Sequence, residues 1–418
     1  NELMEVSNNK KHFYAVGVSY KNADLKTRGD FSLNLEQKDT LTLEAKREGV
    51  EEILINSTCN RTEIYAHVNH PIQLINLLCK HSKGSLAVFN EIGYTHKNKA
   101  AFHHIFKVGT GLDSQILGDF EIIGQLKQGF FRSKKLGMGH GFMERLVNAV
   151  IQASKRIKTE TKISSGATSV AFASVQYIIN TIEEISEKNI LLFGTGKIGR
   201  NTCENLIKHT ENDHIVLINR THEKAKHIAG KFNVLVKEYG ELPTEIRKTD
   251  VLIVATGAQQ PTISKDIIHK DTPLLILDLS IPSNVHPNVE ELEQVTLINL
   301  DSLSQITNKA LEDRRQYIPQ AETILEEVKE EFLQWLEHRQ YAPALRALKA
   351  KLTAQQSSEI KTQEKKAVLK PKAVSVSDQM IQKITGQLAN YLKENPSKAT
   401  TTLDVIQEVF QLDIKAHE

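Results

Sequence analysis

The sequence predicts a multidomain α/β chain: an N-terminal α+β domain, a doubly wound domain on a parallel sheet, and a C-terminal helical part reached through a long helix. Three observations carry this. The 418 residues exceed what a single hydrophobic core ordinarily serves. Short apolar runs alternate with helical stretches between about 164 and 300. Beyond residue 301, apolar residues recur at three- and four-residue steps, the spacing of a helix face.

The first domain is placed at 1–163. FYAVGVS (13–19) and EEILINS (51–57) read as strands with a helical stretch from Leu35 to Arg47 between them. EIYAHV (63–68) alternates as a third strand, and helical patterns dominate from Pro71 onward. The second domain is placed at 164–301. NILLF (189–193), HIVLIN, DVLIVAT and LLILDLS are apolar runs with the composition of parallel strands buried on both faces. The third part is 302–418. Ala321, Leu325, Val328, Phe332 and Trp335 form one stripe on a long helix, and 353–372, polar and Lys-rich, reads as a loop or weak helix. Met380, Ile384, Leu388 and Tyr391, then Leu403, Ile406 and Phe410, mark two more helices. A long helix with few partners of its own buries its stripe against another chain, so a homodimer is expected.

Composition, at 40% hydrophobic and 25% charged, is that of a globular protein. No apolar run is long enough to span a bilayer or to act as a secretory signal, which predicts a cytoplasmic protein with no membrane contact. Cys59, Cys79 and Cys203 lack CxxC spacing, and no HExxH occurs, so neither a disulfide framework nor a metal site is expected. Net charge is only +2, but Phe131–Lys162 holds eight Lys/Arg against two Glu, and Arg339–Lys372 nine against two. Either segment suits a phosphate backbone, and either suits a solvated helix face.

Gly194-x-Gly196-x-x-Gly199 follows a strand and opens a helix, the context of a Rossmann dinucleotide site. The first glycine allows the tight turn, the second admits the pyrophosphate, the third lets helix and strand pack, and the helix N-terminus faces the phosphates. Thr195, Lys197 and Ile198 complete the loop. At the end of the second strand stand Asn219, Arg220 and Thr221, with no acidic residue to accept from a ribose 2′-hydroxyl. A guanidinium there suits a 2′-phosphate, which favours NADPH over NADH.

Ser57-Thr58-Cys59-Asn60-Arg61-Thr62-Glu63 follows a strand directly, where a side chain can be presented to a cleft. A thiol beside Arg61 is expected to ionise more readily and to act as a nucleophile on a carbonyl. The plain alternative is a small buried apolar group, and for Cys79 and Cys203, both on helical stretches, that reading is preferred.

With these residues in view, the chain resembles the glutamyl-tRNA reductases. STCNRTEIY is similar to that family's active-site signature, GLDSQILGDFEIIGQLK (111–127) to its second motif, and SVAFA (169–173), NRT (219–221) and DLSIP (278–282) to later ones. The AE…F..W pattern (Ala321, Glu322, Phe332, Trp335) also matches, and the resemblance runs from about 13 to 345. It implies Cys59 as the nucleophile and His104, seven residues before Gly111, as the histidine needed for activity; His103 falls outside that role. It implies Thr58, Asn60, Arg61, Ser114, Asp119, Phe120, Glu121 and Gln125 as substrate contacts, with Arg61 placed for the substrate carboxylate. The implied reaction is NADPH-dependent reduction of glutamyl-tRNA(Glu) to glutamate-1-semialdehyde through a cysteine thioester, opening tetrapyrrole synthesis by the C5 route. A homodimer and a transient complex with glutamate-1-semialdehyde aminomutase are implied partners.

Some positions depart from the family pattern. Gly118-Asp119-Phe120-Glu121 stands where Gly-Glu-Pro-Gln is common, Tyr20 where a His is common, and Ser283-Asn284 where Arg-Asp follows the proline. GTGKIG with NRT is also similar to shikimate dehydrogenase, a reading that leaves STCNRTE and the C-terminal helices without a purpose. A tRNA- or partner-binding protein that kept only the fold is the non-catalytic alternative; absence of a thioester after mixing with glutamyl-tRNA would select it.

Overall fold

The computed structural model describes residues 10–164, 169–232, 234–310, 312–364 and 372–412. The chain divides into two compact units, 1–329 and 330–418. Both expected domain boundaries, after 163 and after 301, therefore lie inside the first unit.

The N-terminal α+β domain begins with β1 (His12–Ser19), α1 (Leu25–Phe31), α2 (Leu35–Arg47), β2 (Ile53–Ser57) and β3 (Arg61–Val68). α3 (Ile72–His81), α4 (Leu86–Ile92), β4 (Tyr94–Lys97), α5 (Lys99–Gly109), α6 (Glu121–Lys135) and α7 (Gly141–Glu160) follow. The four strands form an antiparallel sheet in the order β2-β3-β1-β4. Its register pairs Ser57 with Thr62 across a hairpin whose tip is Cys59-Asn60, closed by the Thr58 N–H donating to the Arg61 carbonyl at 2.8 Å. Asn34 caps α2 with a reciprocal Gln37 contact, which fixes where that helix starts.

α8 (Val170–Thr181) leads to the second sheet. There β5 (Ile190–Phe193), α9 (Lys197–Thr210), β6 (Ile215–Ile218), α10 (His222–Phe232), β7 (Leu235–Lys237), α11 (Leu242–Lys248), β8 (Val251–Val254), β9 (Leu274–Asp278) and β10 (Val295–Asn299) follow in turn. The order β10-β9-β8-β5-β6-β7, parallel throughout, is the doubly wound arrangement expected from the sequence. Ligands of such sheets lie beyond the carboxyl ends of the strands, between β5 and β8, where the winding reverses.

α12 (Leu300–Ala310) packs on α8, and α13 (Ile318–Arg339) is the long helix. Ala321, Leu325, Val328 and Phe332 are buried along it, as a helix stripe should be, but within this one chain rather than against a second copy, and Trp335 is half-buried. In the second unit α14 (Ala342–Glu364), α15 (Lys372–Glu394) and α16 (Pro396–Phe410) share a small core of Tyr341, Leu392 and Ala399. The expectation of a loop or weak helix from 353 is corrected up to Glu364, where α14 is continuous. Polar but strong helix formers such as Gln355, Gln356 and Lys361 sustain it without an apolar stripe. Residues 365–371 of that stretch lie outside the described residues.

Candidate active site

The Cys59 hairpin tip meets two other elements. One is the 110–125 segment, whose path turns on Gly111 and Gly118, both with φ near +80°. A Cβ at either would press on backbone of the same fold, Asp119 at Gly111 and Ile163 at Gly118. The other is the start of α8 and α9. Together they enclose a void of about 20 Å³ bordered by Thr58, Cys59, Asn60, Arg61, Ser114, Asp119, Glu121 and Gln125, with Val170 and Ile198 as its apolar wall. Phe120 does not border the void; its ring is exposed, with the Lys158 ammonium 4.1 Å from its centre.

Electrostatics around the sulfur overturns one expectation. The Cys59 thiol is not lowered by Arg61 but pushed up to about 12, first by burial and then by the charge of Asp119. Arg61 is engaged elsewhere: its guanidinium is 2% exposed and bonds Glu63 at 2.6 Å and Asp113 at 2.8 Å. It thus ties β3 to the 110–120 loop, and the substrate carboxylate expected to meet it would find both terminal nitrogens bonded.

Glu63 is fully buried and accepts from Arg61, from the Tyr65 hydroxyl, from the Tyr94 hydroxyl at 2.5 Å and from His104 Nε2 at 3.0 Å. Burial works to raise its pKa, but His104 and Arg61 overcome this and hold the carboxyl far below the usual range. His104 therefore sits behind the hairpin on a carboxylate, stacked on His96 with ring centres 4.5 Å apart, and does not border the void. Neither Glu63 nor Asp113 was singled out from the sequence. Glu63 carried a signal: it shares one strand face with Arg61 and Tyr65, placing two charges on a face that has to be buried.

Asp119 presents the opposite case. It is almost enclosed, and burial raises its pKa to about 7, with Glu121 adding to the rise. One carboxyl oxygen accepts the Glu121 N–H at 2.8 Å. Lys197 at the head of α9 lowers it in part, and Asn201 of the same helix donates to Glu121 at 3.1 Å. Arg28, itself buried, bonds the Cys59 carbonyl at 3.3 Å and Asp301 at 2.7 Å, linking the hairpin to α12. The nucleotide-side helices are thus packed directly on the cysteine, although Cys59 and Gly194 are 135 residues apart.

The glycine loop borders a separate cleft of about 330 Å³ at the ends of β5, β6 and β8. Gly194 has φ +119°, and a Cβ there would strike the Ala255 carbonyl, whereas Gly196 faces open space. A Cβ on Gly199 would strike the Gly194 carbonyl, so that glycine serves helix–strand contact. Thr195, Gly196, Asn219, Arg220 and Thr221 line the cleft; Gly194, Lys197, Ile198 and Gly199 do not. Lys224 and the Thr256-Gly257 turn line it too, and were not foreseen. Two cations and no carboxylate at the β6 end fit a phosphorylated ribose, and the open glycine at the helix N-terminus fits a pyrophosphate. Among the described residues no group of His, Cys, Asp and Glu is placed to hold a metal ion, and no helix is long and apolar enough to cross a membrane. Cys203 is buried under the second sheet and Cys79 lies against the first core, as preferred for both.

Residues 16–161 match the family model described as glutamyl-tRNA(Glu) reductase, N-terminal domain, and 320–412 its dimerisation domain; 177–306 match shikimate/quinate 5-dehydrogenase. The glutamyl-tRNA reductase of Christiangramia forsetii is 60% identical over 96% of this chain and 97% of its own. That of Flavobacterium psychrophilum is 56% identical over 98% of this chain and the whole of its own. The solved glutamyl-tRNA reductase from Methanopyrus kandleri shares the fold, with a TM-score of 0.51 at 23% identity over 96% of this chain and 99% of that one. By sequence over nearly its whole length, and by the order of its domains, the chain belongs to the glutamyl-tRNA reductase family.

Proposed function

We propose that this oxidoreductase uses NADPH to reduce glutamyl-tRNA(Glu) to glutamate-1-semialdehyde, with Cys59 as the nucleophile, as the first step of tetrapyrrole synthesis by the C5 route. The observation that carries this reading is the juxtaposition of the Cys59 hairpin with the head of the dinucleotide-binding helix α9 across one small void. An ester and a nicotinamide have to be brought to the same sulfur, and here the two halves of that arrangement touch.

The free α-carboxylate of glutamate is a poor electrophile, whereas its ester to the tRNA ribose is a good one. The Cys59 sulfur forms a bond to the ester carbonyl carbon, the carbon–oxygen bond to the ribose breaks, and the thiol proton leaves with the tRNA hydroxyl. Thr58, Asn60, Ser114 and Gln125 supply hydrogen-bonding groups for the glutamyl side chain, and Asp119 and Glu121 suit its ammonium. Arg61 and His104 act through Glu63, holding the hairpin and the 110–120 loop in register. A bound reduced nicotinamide would supply hydride to the acyl carbon; the carbon–sulfur bond then breaks, releasing the aldehyde and leaving the Cys59 sulfur to take up a proton. Thr195 and Gly196 would hold the cofactor's pyrophosphate, with Arg220 and Lys224 at its 2′-phosphate.

A void of about 20 Å³ has room for water but not for a glutamyl group, so the substrate enters only when the nucleotide-binding side withdraws. On this reading 1–163 is the catalytic domain, 164–301 binds NADPH, and 302–418 links and dimerises. A homodimer follows from the dimerisation-domain match. A cytoplasmic location and a transient hand-over complex with the aminomutase that consumes the reactive aldehyde complete the proposal. The test is NADPH oxidation with charged against uncharged tRNA(Glu) and direct detection of the semialdehyde. Oxidation with free shikimate in its place would overturn the reading.

A further inference from the structure

Helix α6 begins at the active-site void and runs away from it. Its first turn gives Glu121, Ile122 and Gln125 to the void. Its outer side is unlike the solvated face of an ordinary helix. Phe120, Gly124, Lys127, Phe131 and Lys135 succeed one another at steps of four, three, four and four, which places them on one stripe. Phe131 is 53% exposed and Phe120 37% exposed. Each ring carries an ammonium: Lys158 at 4.1 Å from the centre of Phe120, Lys127 at 5.8 Å from that of Phe131. Lys127 and Lys135 make no salt bridge among the described residues, whereas Arg132 and Lys134, off the stripe, are paired with Asp39 and Glu144. The only acid of the helix, Glu121, points into the void.

Gly124 is the second observation. A Cβ there would meet nothing, so no internal packing calls for glycine in the first turn of this helix, and glycine is among the least favourable residues for a helix. It leaves a gap in the stripe between the two aromatic positions, a place where a backbone from outside can lie close. From Phe120 to Phe131 the stripe spans roughly 16 Å at the usual helical rise.

We infer that this stripe of α6 is the track for the unpaired 3′ end of the tRNA, with Phe120 and Phe131 as stacking platforms for its bases and Lys127 and Lys135 for its phosphates. This rests on the reading that the substrate is an aminoacylated tRNA. The ester to be cleaved sits on the terminal ribose, so the unpaired nucleotides have to leave the Cys59 void along some surface. The helix that carries the stripe starts at that void, and the stripe has exposed rings, positive charge and no carboxylate. Single-stranded nucleic acid is held in this way, by aromatic faces that accept any base and cations that follow the backbone. Phe120, standing where proline is common in the family, belongs to this platform and not to the glutamyl-binding wall.

The experiment is a double-mutant cycle between protein and RNA with the full chain. Dissociation constants are measured for uncharged tRNA(Glu), intact and trimmed of its unpaired 3′ nucleotides, with wild type, Phe131→Ala and Lys127→Ala. Trimming is expected to weaken wild-type binding about tenfold or more, in the range of lost base stacking, and to cost Phe131→Ala much less. Phe131→Trp should restore the wild-type response, and Lys127→Ala should lower the salt slope by about one phosphate contact. Equal weakening of intact and trimmed tRNA by Phe131→Ala would place the contact on the tRNA body and overturn the inference. No weakening of either would overturn it too, and would leave the patch to a protein partner. Because binding is read without turnover, a failure of the reductase reading shows separately, as absence of NADPH oxidation by wild type on charged tRNA.

Discussion

Replacing Asp119 by asparagine should stabilise the protein in mild alkali and leave its stability in acid unchanged. Asp119 is walled in by the hairpin, α6 and the head of α9, and its pKa is raised from 3.8 to about 7. A carboxyl raised by folding is accommodated in its protonated form. The folded protein then holds a proton that the unfolded chain has released, so stability is fully present below about pH 4 and declines until about pH 7. A shift of about three units, at about 1.36 kcal/mol each, makes the loss at most about 4 kcal/mol at pH 8. Asparagine keeps the oxygen that accepts the Glu121 N–H at 2.8 Å and removes the charge. Urea unfolding of wild type and Asp119→Asn at pH 4.5, 6, 7 and 8 should give curves that nearly coincide at the lowest pH and separate progressively as pH rises. A constant offset across that range would refute the argument, since it would show that the carboxyl does not titrate differently on folding.

Three further outcomes are expected. Cys59→Ser should abolish reduction of glutamyl-tRNA while binding of tRNA persists, because an alkoxide is hard to form and an ester is a poorer hydride acceptor; turnover above a few per cent of wild type in the semialdehyde assay would exclude the thioester. Glu63→Gln should lower stability by about 3–5 kcal/mol, since it removes one of the two anions that compensate buried Arg61 and the acceptor shared with His104. Its partner-lowered carboxyl also means that wild-type stability falls below about pH 4 while the variant lacks that acid limb, which denaturation midpoints at pH 3 and 6 would show. Arg220→Ala should weaken NADPH binding by about 1.5–3 kcal/mol, roughly ten- to a hundredfold, and leave NADH binding unchanged. Equal losses for both nucleotides in a fluorescence titration would remove the 2′-phosphate role, and Lys224→Ala in the same background should deepen a selective loss.

What was legible in the sequence was what local pattern encodes. The glycine loop, the apolar runs of the parallel sheet and the stripe of α13 are periodic signals, and the structure returns them in the expected order. β4 escaped notice because Tyr94-Thr95-His96-Lys97 is four residues long, lies at a sheet edge and has no apolar alternation. The state of Cys59 was also out of reach. Neighbouring Arg61 suggested a thiolate, but Arg61 is engaged by Asp113, which is 52 residues away in sequence, and the sulfur is walled by Ile198, which is farther still. A pKa is set by what surrounds a group in space, and here its decisive neighbours come from three separated segments. The same holds for Glu63, whose four donors lie on β3, β4 and α5.

The environment of Cys59 bears on the order of events. On the proposed mechanism the two half-reactions ask opposite things of the cleft. Acyl transfer needs room for a tRNA end and an ionised sulfur. With its pKa pushed up to about 12, the sulfur as seen here is about one part in ten thousand thiolate at pH 8. Delivery of hydride to the acyl group needs the reverse: water kept out, since water competes for the thioester, and the nicotinamide site near the sulfur. The arrangement described has the second set of properties, with Val170 and Ile198 closing the void and Arg28–Asp301 and Asn201–Glu121 holding the two sides together. It shares that exclusion of water, but a void of about 20 Å³ has no room for a bound glutamyl group, so reduction needs the nucleotide-binding side to stand somewhat farther from the sulfur than it does here. Acyl transfer then belongs to an open arrangement, in which loss of the apolar wall brings the Cys59 pKa back toward that of an exposed thiol. Breaking the clasp at Asp301 should accordingly speed thioester formation relative to reduction and raise the share of glutamate released by hydrolysis. A variant in which the two rates fell together would show that one arrangement serves both steps.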